Sequence, residues 1–269
     1  MDTTDPTLYS SDGLMHQILG PEPEPPFWDK AELTATWGRP WGAADEVSRL
    51  RAVVMRLPSP GLEEVAQLGD SAWVEKAQAY VDPRGRWYWT GRELPQLDKL
   101  RHEFSEFIGQ LEAAGVEVVQ APPLADRFTK AVFTRDPLVT VRGGAVIGRM
   151  APRMRRGEEQ AMTRVLAEVG MPILGTIAGA GLVEGGSFVK VRPDKAFFGT
   201  SVRCNAEGHR QLRNILSEHG VDVVRVNLPG YQIHLDILMA MIDHDLALIN
   251  ERLLPYDTQV ALRDLGIET

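Results

Sequence analysis

The sequence predicts an α/β repeat protein, and three observations carry that prediction. Four stretches each read as an amphipathic helix, then a glycine, then a short β-rich run. The four glycines, Gly115, Gly170, Gly220 and Gly266, recur at intervals of 55, 50 and 46 residues. Hairpin-like pairs of apolar segments lie between the helices. A recurring supersecondary unit of this length points to a propeller-like or solenoid arrangement.

The elements follow in order. Residues 1–48 stand apart as an arm, in which Pro21, Pro23, Pro25 and Pro26 alternate with Glu22 and Glu24, a composition of extended chain. Trp28, Trp37 and Trp41 are expected to dock this arm onto the main body or onto a partner subunit. The first repeat helix, Leu97–Gly115, carries the apolar stripe Leu97, Leu100, Phe104, Phe107, Ile108 and Leu111, and runs into Val116–Val119. The second, Glu158–Gly170, carries Met162, Val165, Leu166 and Val169 and runs into Met171–Leu174. The third, Ala206–Gly220, carries Leu212, Ile215 and Leu216 and runs into Val221–Val224. The fourth is Asp257–Gly266 running into Ile267. Each glycine stands where a helix needs a left-handed stop. Hairpins are expected from Ala131–Val141 with Ala145–Met150, from Val183–Val191 with Ala196–Thr200, and from Ile233–Ile242 with Leu246–Ile249. Each unit therefore reads strand, strand, helix, strand. Residues 49–269 form the repeat domain.

Composition excludes several functions. The 269 residues carry 37 acidic and 29 basic side chains, a net charge of −8, which argues against a nucleic-acid partner. One cysteine rules out a disulfide framework and a cysteine-only zinc site, and fits a reducing cytosol. Met1–Gly20 lacks the basic and apolar regions of a leader, and Ile237–Ile242 is too short to span a bilayer. The expectation is a soluble, cytoplasmic protein with no membrane partner.

The polar anomalies of the repeats fall in phase. Phe133-Thr134-Arg135-Asp136-Pro137, Val183-Glu184-Gly185-Gly186-Ser187 and Ile233-His234-Leu235-Asp236 open three successive units. Asp136, Glu184 and His234 are 48 and 50 residues apart. In a closed ring, equivalent positions converge on the axis, so two carboxylates and an imidazole would face one small volume. His234 and Asp236, two apart on an expected strand, would share a face, and Asp236 could orient the imidazole. Gly185 and Gly186 would let a ligand approach closely. Arg155 and Arg203 each follow a carboxylate of this set by 19 residues, at the entry to a helix.

These motifs, in order and at this spacing, resemble the guanidino-group-modifying enzymes: arginine deiminases, dimethylarginine dimethylaminohydrolases and amidinotransferases. The resemblance runs from about Leu50 to the end. It implies a five-bladed α/β propeller of ββαβ units (pentein-like), of which about four blades are present here. It also implies that Asp136 grips a substrate guanidinium, that Glu184 and Asp236 support its remaining nitrogens, and that His234 is general acid and then base. Phe133 would line the substrate site, and Arg155 and Arg203 would hold a substrate carboxylate. A cysteine thiolate would attack the guanidinium carbon, with no metal and no cofactor.

The sequence also departs from the family pattern. Ser187 stands where Asp usually follows Glu-Gly-Gly, and Lys130 stands where deiminases place Asn six residues before the Asp. The run Arg203-Cys204-Asn205-Ala206-Glu207-Gly208 resembles dimethylarginine hydrolases, whereas His234-Leu235-Asp236 is closer to deiminases and amidinotransferases. Cys204 lies outside the Asp136/Glu184/His234 phase, where relatives carry Thr or Ser, and is not the expected nucleophile. In relatives that cysteine follows the fifth blade, and one further period places it beyond Thr269. The chain is therefore expected to stop short of its last blade, by truncation, proteolysis or an incomplete sequence. The alternative is a half that closes with a partner chain.

The expected function is hydrolysis of a guanidino or amidino C–N bond through a covalent cysteine intermediate. An amidinotransferase using the same site is one alternative. A non-catalytic propeller that binds a cationic ligand is the other. The expected partner is a small guanidino compound such as arginine or a derivative, in a possible homo-oligomer.

Overall fold

The computed structural model describes residues 24–67, 72–124 and 128–269. The polar amino terminus and Pro21 and Pro23 of the alternating stretch lie outside the described residues.

A helix, α1 (Lys30–Trp37), opens the described chain, capped by Asp29, whose side chain accepts from the amides of Ala31 and Glu32. Strand β1 (Ala52–Arg56) follows, then α2 (Leu62–Ala66) and a small sheet of β2 (Trp73–Val74), β3 (Ala79–Val81) and β4 (Tyr88–Thr90). Helix α3 (Leu97–Ala113) then returns the chain to β5 (Glu117–Ala121), which pairs parallel with β1. The next unit contains β6 (Leu138–Val141), β7 (Gly144–Ile147), α4 (Glu158–Glu168) and β8 (Ile173–Thr176). The third contains β9 (Phe188–Arg192), β10 (Lys195–Thr200), α5 (Ala206–Ser217) and β11 (Asp222–Asn227). The last contains β12 (Met239–Asp243), β13 (Leu246–Ile249) and α6 (Tyr256–Asp264), with Glu268 bridging parallel to Leu246.

The second and third units each pair their first two strands antiparallel and add the strand after the helix in parallel. That is the ββαβ pattern read from the sequence. The glycines end the helices as expected, with φ of +81° at Gly115 and Gly170, +67° at Gly220 and +71° at Gly266. Among the described residues the strands form separate open sheets, and no closed barrel or ring of hydrogen bonds joins them.

Both faces of the middle sheets are buried, which explains their near-continuous apolar runs. On β7, Ala145 and Ile147 face Val54, Val119 and Met162, while Val146 faces the opposite way toward Phe188 and Leu216. On β10, Ala196 and Phe198 join that second core, and Phe197 joins a third with Met239, Met241 and Leu262. The cores thus lie between successive units, so each unit buries its neighbour. The arm packs on the same body: Trp41 joins the core between the first two units, and Trp28 lies beside His219 and Gly220.

The strands expected over residues 131–141, 183–191 and 233–242 are shorter than the apolar pattern suggests. Each opens with irregular backbone: turns before β6, a 3-10 turn over Gly185–Ser187 before β9, and another over Leu235–Ile237 before β12. The expectation that His234 and Asp236 share a strand face is therefore corrected. Asp236 sits in the turn that follows His234.

Candidate active site

These entry turns interlock, and the interlocking builds the site. The Gly185 amide donates to the Asp136 carbonyl at 2.9 Å. A Cβ on Gly185 would lie 2.1 Å from the carbonyl oxygens of Arg135 and Leu138, so only glycine lets the two turns stack. A Cβ on Gly186 would lie 2.5 Å from His234 Nδ1. The two glycines make room for the protein's own backbone and imidazole rather than for a ligand.

Asp136, Glu184 and His234 are buried and converge. His234 Nε2 lies 2.9 Å from Glu184 Oε2, and His234 Nδ1 lies 3.8 Å from Asp136 Oδ1. Glu184, not Asp236, thus orients the imidazole. Asp236 instead faces Arg135 at 3.3 Å, and Arg135 also reaches Glu46 at 3.5 Å. Glu46, from the arm, further pairs with the buried Lys190 at 3.2 Å.

Arg155 and Arg203 both reach the site, each turned onto a carboxylate. Arg155 Nη1 meets Asp136 Oδ2 at 2.5 Å, and its other edge grips Glu158 at 2.9 and 2.7 Å in a bidentate fork. Arg203 Nη1 meets Glu184 Oε2 at 3.0 Å. Phe133 is exposed, three residues before Asp136.

The electrostatics follow from these contacts. Burial would raise the Glu184 carboxyl, but His234, Arg203 and the Ala151 amide hold it below the usual glutamate range. Burial likewise opposes the charge on Arg155, and Glu158 and Asp136 outweigh it and raise its pKa. Glu158 and Asp236 are both pushed up by burial.

Cys204 is buried, and burial pushes its thiol up to about 12. Its sulfur accepts from the Glu184 amide at 3.3 Å. The rest of its motif acts on the same segment. Asn205 caps α5 through the Gly208 amide and accepts from the Leu182 amide at 3.0 Å, and its own amide donates to the Leu182 carbonyl at 3.2 Å. A Cβ on Gly208 would lie 2.1 Å from that carbonyl. The run from Arg203 to Gly208 therefore fixes Glu184 in place, and Cys204 belongs to that scaffold.

Asp136, Glu184 and His234 offer one donor atom each within 4.8 Å of one another, a spacing that would also suit a metal ion. His234 Nε2 and Glu184 Oε2 already bind each other, so a metal would have to break that contact.

A family model described as arginine deiminase matches residues 121–265, more than half of the chain. The chain belongs to the arginine deiminase family. It is 30% identical over 151 residues to N(G),N(G)-dimethylarginine dimethylaminohydrolase of Pseudomonas aeruginosa, covering 56% of this chain and 58% of that protein. It is 29% identical over 136 residues to arginine deiminase 1 of Staphylococcus epidermidis, covering 46% and 33%. The solved structure of the Pseudomonas enzyme, a cysteine-to-serine mutant with citrulline, matches at a TM-score of 0.60 and 26% identity, covering 78% of this chain and 74% of that one. An amidinotransferase from Microseira wollei shares the fold at a TM-score of 0.60 and 20% identity. The chain spans about half the length of curated relatives it matches. Among the described residues, no helix is long and apolar enough to cross a membrane.

Glu158, Glu46 and Lys190 join the site beyond the residues expected from the sequence. Glu158 had a signal, because Arg155 and Glu158 are three apart at a helix start and can face each other. Glu46 and Lys190 had none, since they meet only across 144 residues of chain.

Proposed function

We propose that this chain carries the guanidinium-binding and acid–base groups of an amidine hydrolase of the arginine deiminase or dimethylargininase type. The observation that carries this reading is the buried convergence of Asp136, Glu184 and His234, with the imidazole held by Glu184 at 2.9 Å. Asp136 takes an edge of the substrate guanidinium, and Glu184 and Asp236 complete the acidic surround. Phe133 flanks the entrance. Arg155 and Arg203 lie where a substrate carboxylate would approach.

In the reaction, a thiolate forms a bond to the guanidinium carbon, and the C–N bond to the departing amine breaks as His234 supplies its proton. Water then attacks the amidino carbon while His234 takes a proton, and the C–S bond breaks to release the ureido product. The thiol is not Cys204, because a buried thiol pushed up to about 12 is not a thiolate at neutral pH. No metal or cofactor has a part in these steps.

An apolar outer face on the last unit, with Ile237, Ile242 and Leu248 exposed, supports a further ββαβ unit packing there, so that a five-bladed ring closes around the site. The protein so completed works in the cytoplasm, alone or as a homo-oligomer. An amine in place of water would make the same site an amidinotransferase. The inert character of Cys204 favours one other reading, a non-catalytic binder of a cationic ligand.

The test uses the complete protein with arginine and N-methylated arginines, with no amine acceptor added. Release of citrulline together with ammonia or a methylamine supports the hydrolase. His234→Ala should abolish turnover and leave guanidinium binding intact; unchanged turnover would sink the assignment. Product that forms only when an amine is supplied would favour the transferase.

A further inference from the structure

The arm is fastened to the body before it reaches the site. Gly42 passes the end of β6 so closely that a Cβ there would overlap the Val141 carbonyl oxygen. Backbone hydrogen bonds hold it on both sides, from the Ala43 amide to the Val141 carbonyl and from the Gly143 amide to the Trp41 carbonyl. Asp45 then accepts from the amides of Val47 and Ser48 and from the Ser48 hydroxyl, which fixes the next turn. Glu46, inside that turn, is carried inward. Its Oε1 accepts from the Lys190 amide at 3.1 Å and faces the buried Lys190 ammonium at 3.2 Å, which leaves Oε2 to Arg135. Burial opposes the Glu46 charge, but Lys190 and Arg135 outweigh it and hold the carboxyl below the usual glutamate range.

Arg135 divides its guanidinium among three acceptors. Nε lies 3.3 Å from Asp236 Oδ2, Nη1 lies 3.5 Å from Glu46 Oε2, and Nη2 donates to the Phe188 carbonyl at 2.9 Å. Guanidinium and carboxylate favour a two-point fork. Every such fork needs at least one of the two terminal nitrogens, and here Glu46 and Phe188 hold them both. Asp236 is therefore touched through Nε alone.

We propose that Glu46 is a positioning residue: it holds Arg135 back from a two-point grip on Asp236, and so keeps Asp236 available to a cationic ligand. The inference rests on the guanidinium reading above, in which Asp236 belongs to the acidic surround. Without Glu46, the half-exposed Arg135 turns its freed nitrogen onto Asp236, and the protein's own guanidinium takes the acceptor that a ligand would use. The arm is thereby part of the site and not only a strap across the body.

Two measurements on the full chain at neutral pH test this: the carboxyl carbon resonance of Asp236, assigned with Asp236→Asn, and the affinity for L-arginine by isothermal titration. Glu46→Gln should shift that resonance and weaken arginine about tenfold, the scale of one charge-assisted contact. With Arg135→Gln already in place, Glu46→Gln should cause neither change. Glu46→Gln alone strands the buried Lys190, so the comparison is repeated with Lys190→Met, which removes both members of that pair. A resonance indifferent to Glu46→Gln would overturn the proposal. So would an affinity loss that persists with Arg135→Gln or disappears with Lys190→Met, since Glu46 would then act only as structural support. If wild type binds no arginine while the resonance still follows Glu46 through Arg135, the guanidinium reading falls and the positioning role stands.

Discussion

Gly186→Ala tests the geometry of the site with a single methyl group. The added Cβ would lie 2.5 Å from His234 Nδ1, 2.8 Å from Cγ and 3.1 Å from Cε1. Ordinary contact between such atoms is about 3.5 Å, so the ring must retreat by roughly 1 Å or rotate. His234 is buried, and either motion draws Nε2 away from Glu184 Oε2, now at 2.9 Å. Overpacking of a buried site costs about 1–3 kcal/mol, and a hydrogen bond to a charged partner contributes about 1.5–3 kcal/mol. The expected loss is therefore about 2.5–6 kcal/mol in urea unfolding. Imidazole nitrogen resonances should shift as well, reporting the lost Glu184 contact. In a turnover-competent form, displacement on this scale should lower the rate by about 10²-fold. Gly109→Ala is the control: it lies inside α3 with nothing within 4 Å of a Cβ, and should stabilise by about 0.5–1 kcal/mol. If Gly186→Ala behaves like the control and leaves the imidazole resonances in place, Gly186 does not seat His234 and the reasoning fails.

Arg203→Ala leaves Glu184 fully buried with one cation fewer, and removing one partner of a buried pair should cost about 3–5 kcal/mol in denaturant unfolding; a cost below about 1 kcal/mol would refute the pairing. Native Cys204 should resist a neutral-pH thiol reagent and react on unfolding; rapid labelling of the folded chain would contradict its burial. Its folded thiol sits near 12 against an ordinary 9.0, so the stability it contributes is full below pH 9.0 and is lost as pH rises toward 12. Cys204→Ser, which keeps an acceptor for the Glu184 amide, should flatten that alkaline decline. Glu184 has the opposite sign: its lowered carboxyl stabilises the fold above the usual glutamate range, and that contribution is lost as pH falls through the lowered value. Glu184→Gln should therefore reduce the acid slope of stability, and an unchanged slope would count against the shift.

The repeat was legible because helix periodicity and glycine stops are local signals. Leu97, Glu158 and Ala206 begin helices at the residues expected from the sequence, and the four glycines carry the positive φ expected of them. The phase of Asp136, Glu184 and His234 was legible for the same reason, since equivalent positions in similar units occupy equivalent places. What stayed hidden depended on pairs. The apolar run Ile233–Ile242 reads as a hairpin strand, but Leu235 turns into the core and the chain bends before β12, which moves Asp236 from His234 to Arg135. The partner of Lys190 lies in the arm, and no spacing rule links Glu46 to it. The glycines beside Glu184 were visible, yet what they make room for could be seen only with the neighbouring turn in place.

The two carboxylates that recur in phase do not have the same capacity. An ionised carboxylate offers about four acceptor positions. Glu184 Oε2 already receives Arg203 and faces His234, and Oε1 receives the Ala151 amide. Asp136 commits Oδ2 to Arg155, while among the described residues Oδ1 has only the imidazole, 3.8 Å away. The free acceptor capacity next to His234 therefore lies on Asp136 Oδ1, with the part-exposed Asp236 beyond it. On the proposed guanidinium reading, an incoming guanidinium would meet Asp136 first, and Glu184 would act on it mainly by holding the imidazole. Sequence register makes the two acids equivalent; the hydrogen bonds around them leave Asp136 an open acceptor and commit Glu184 to the imidazole and Arg203.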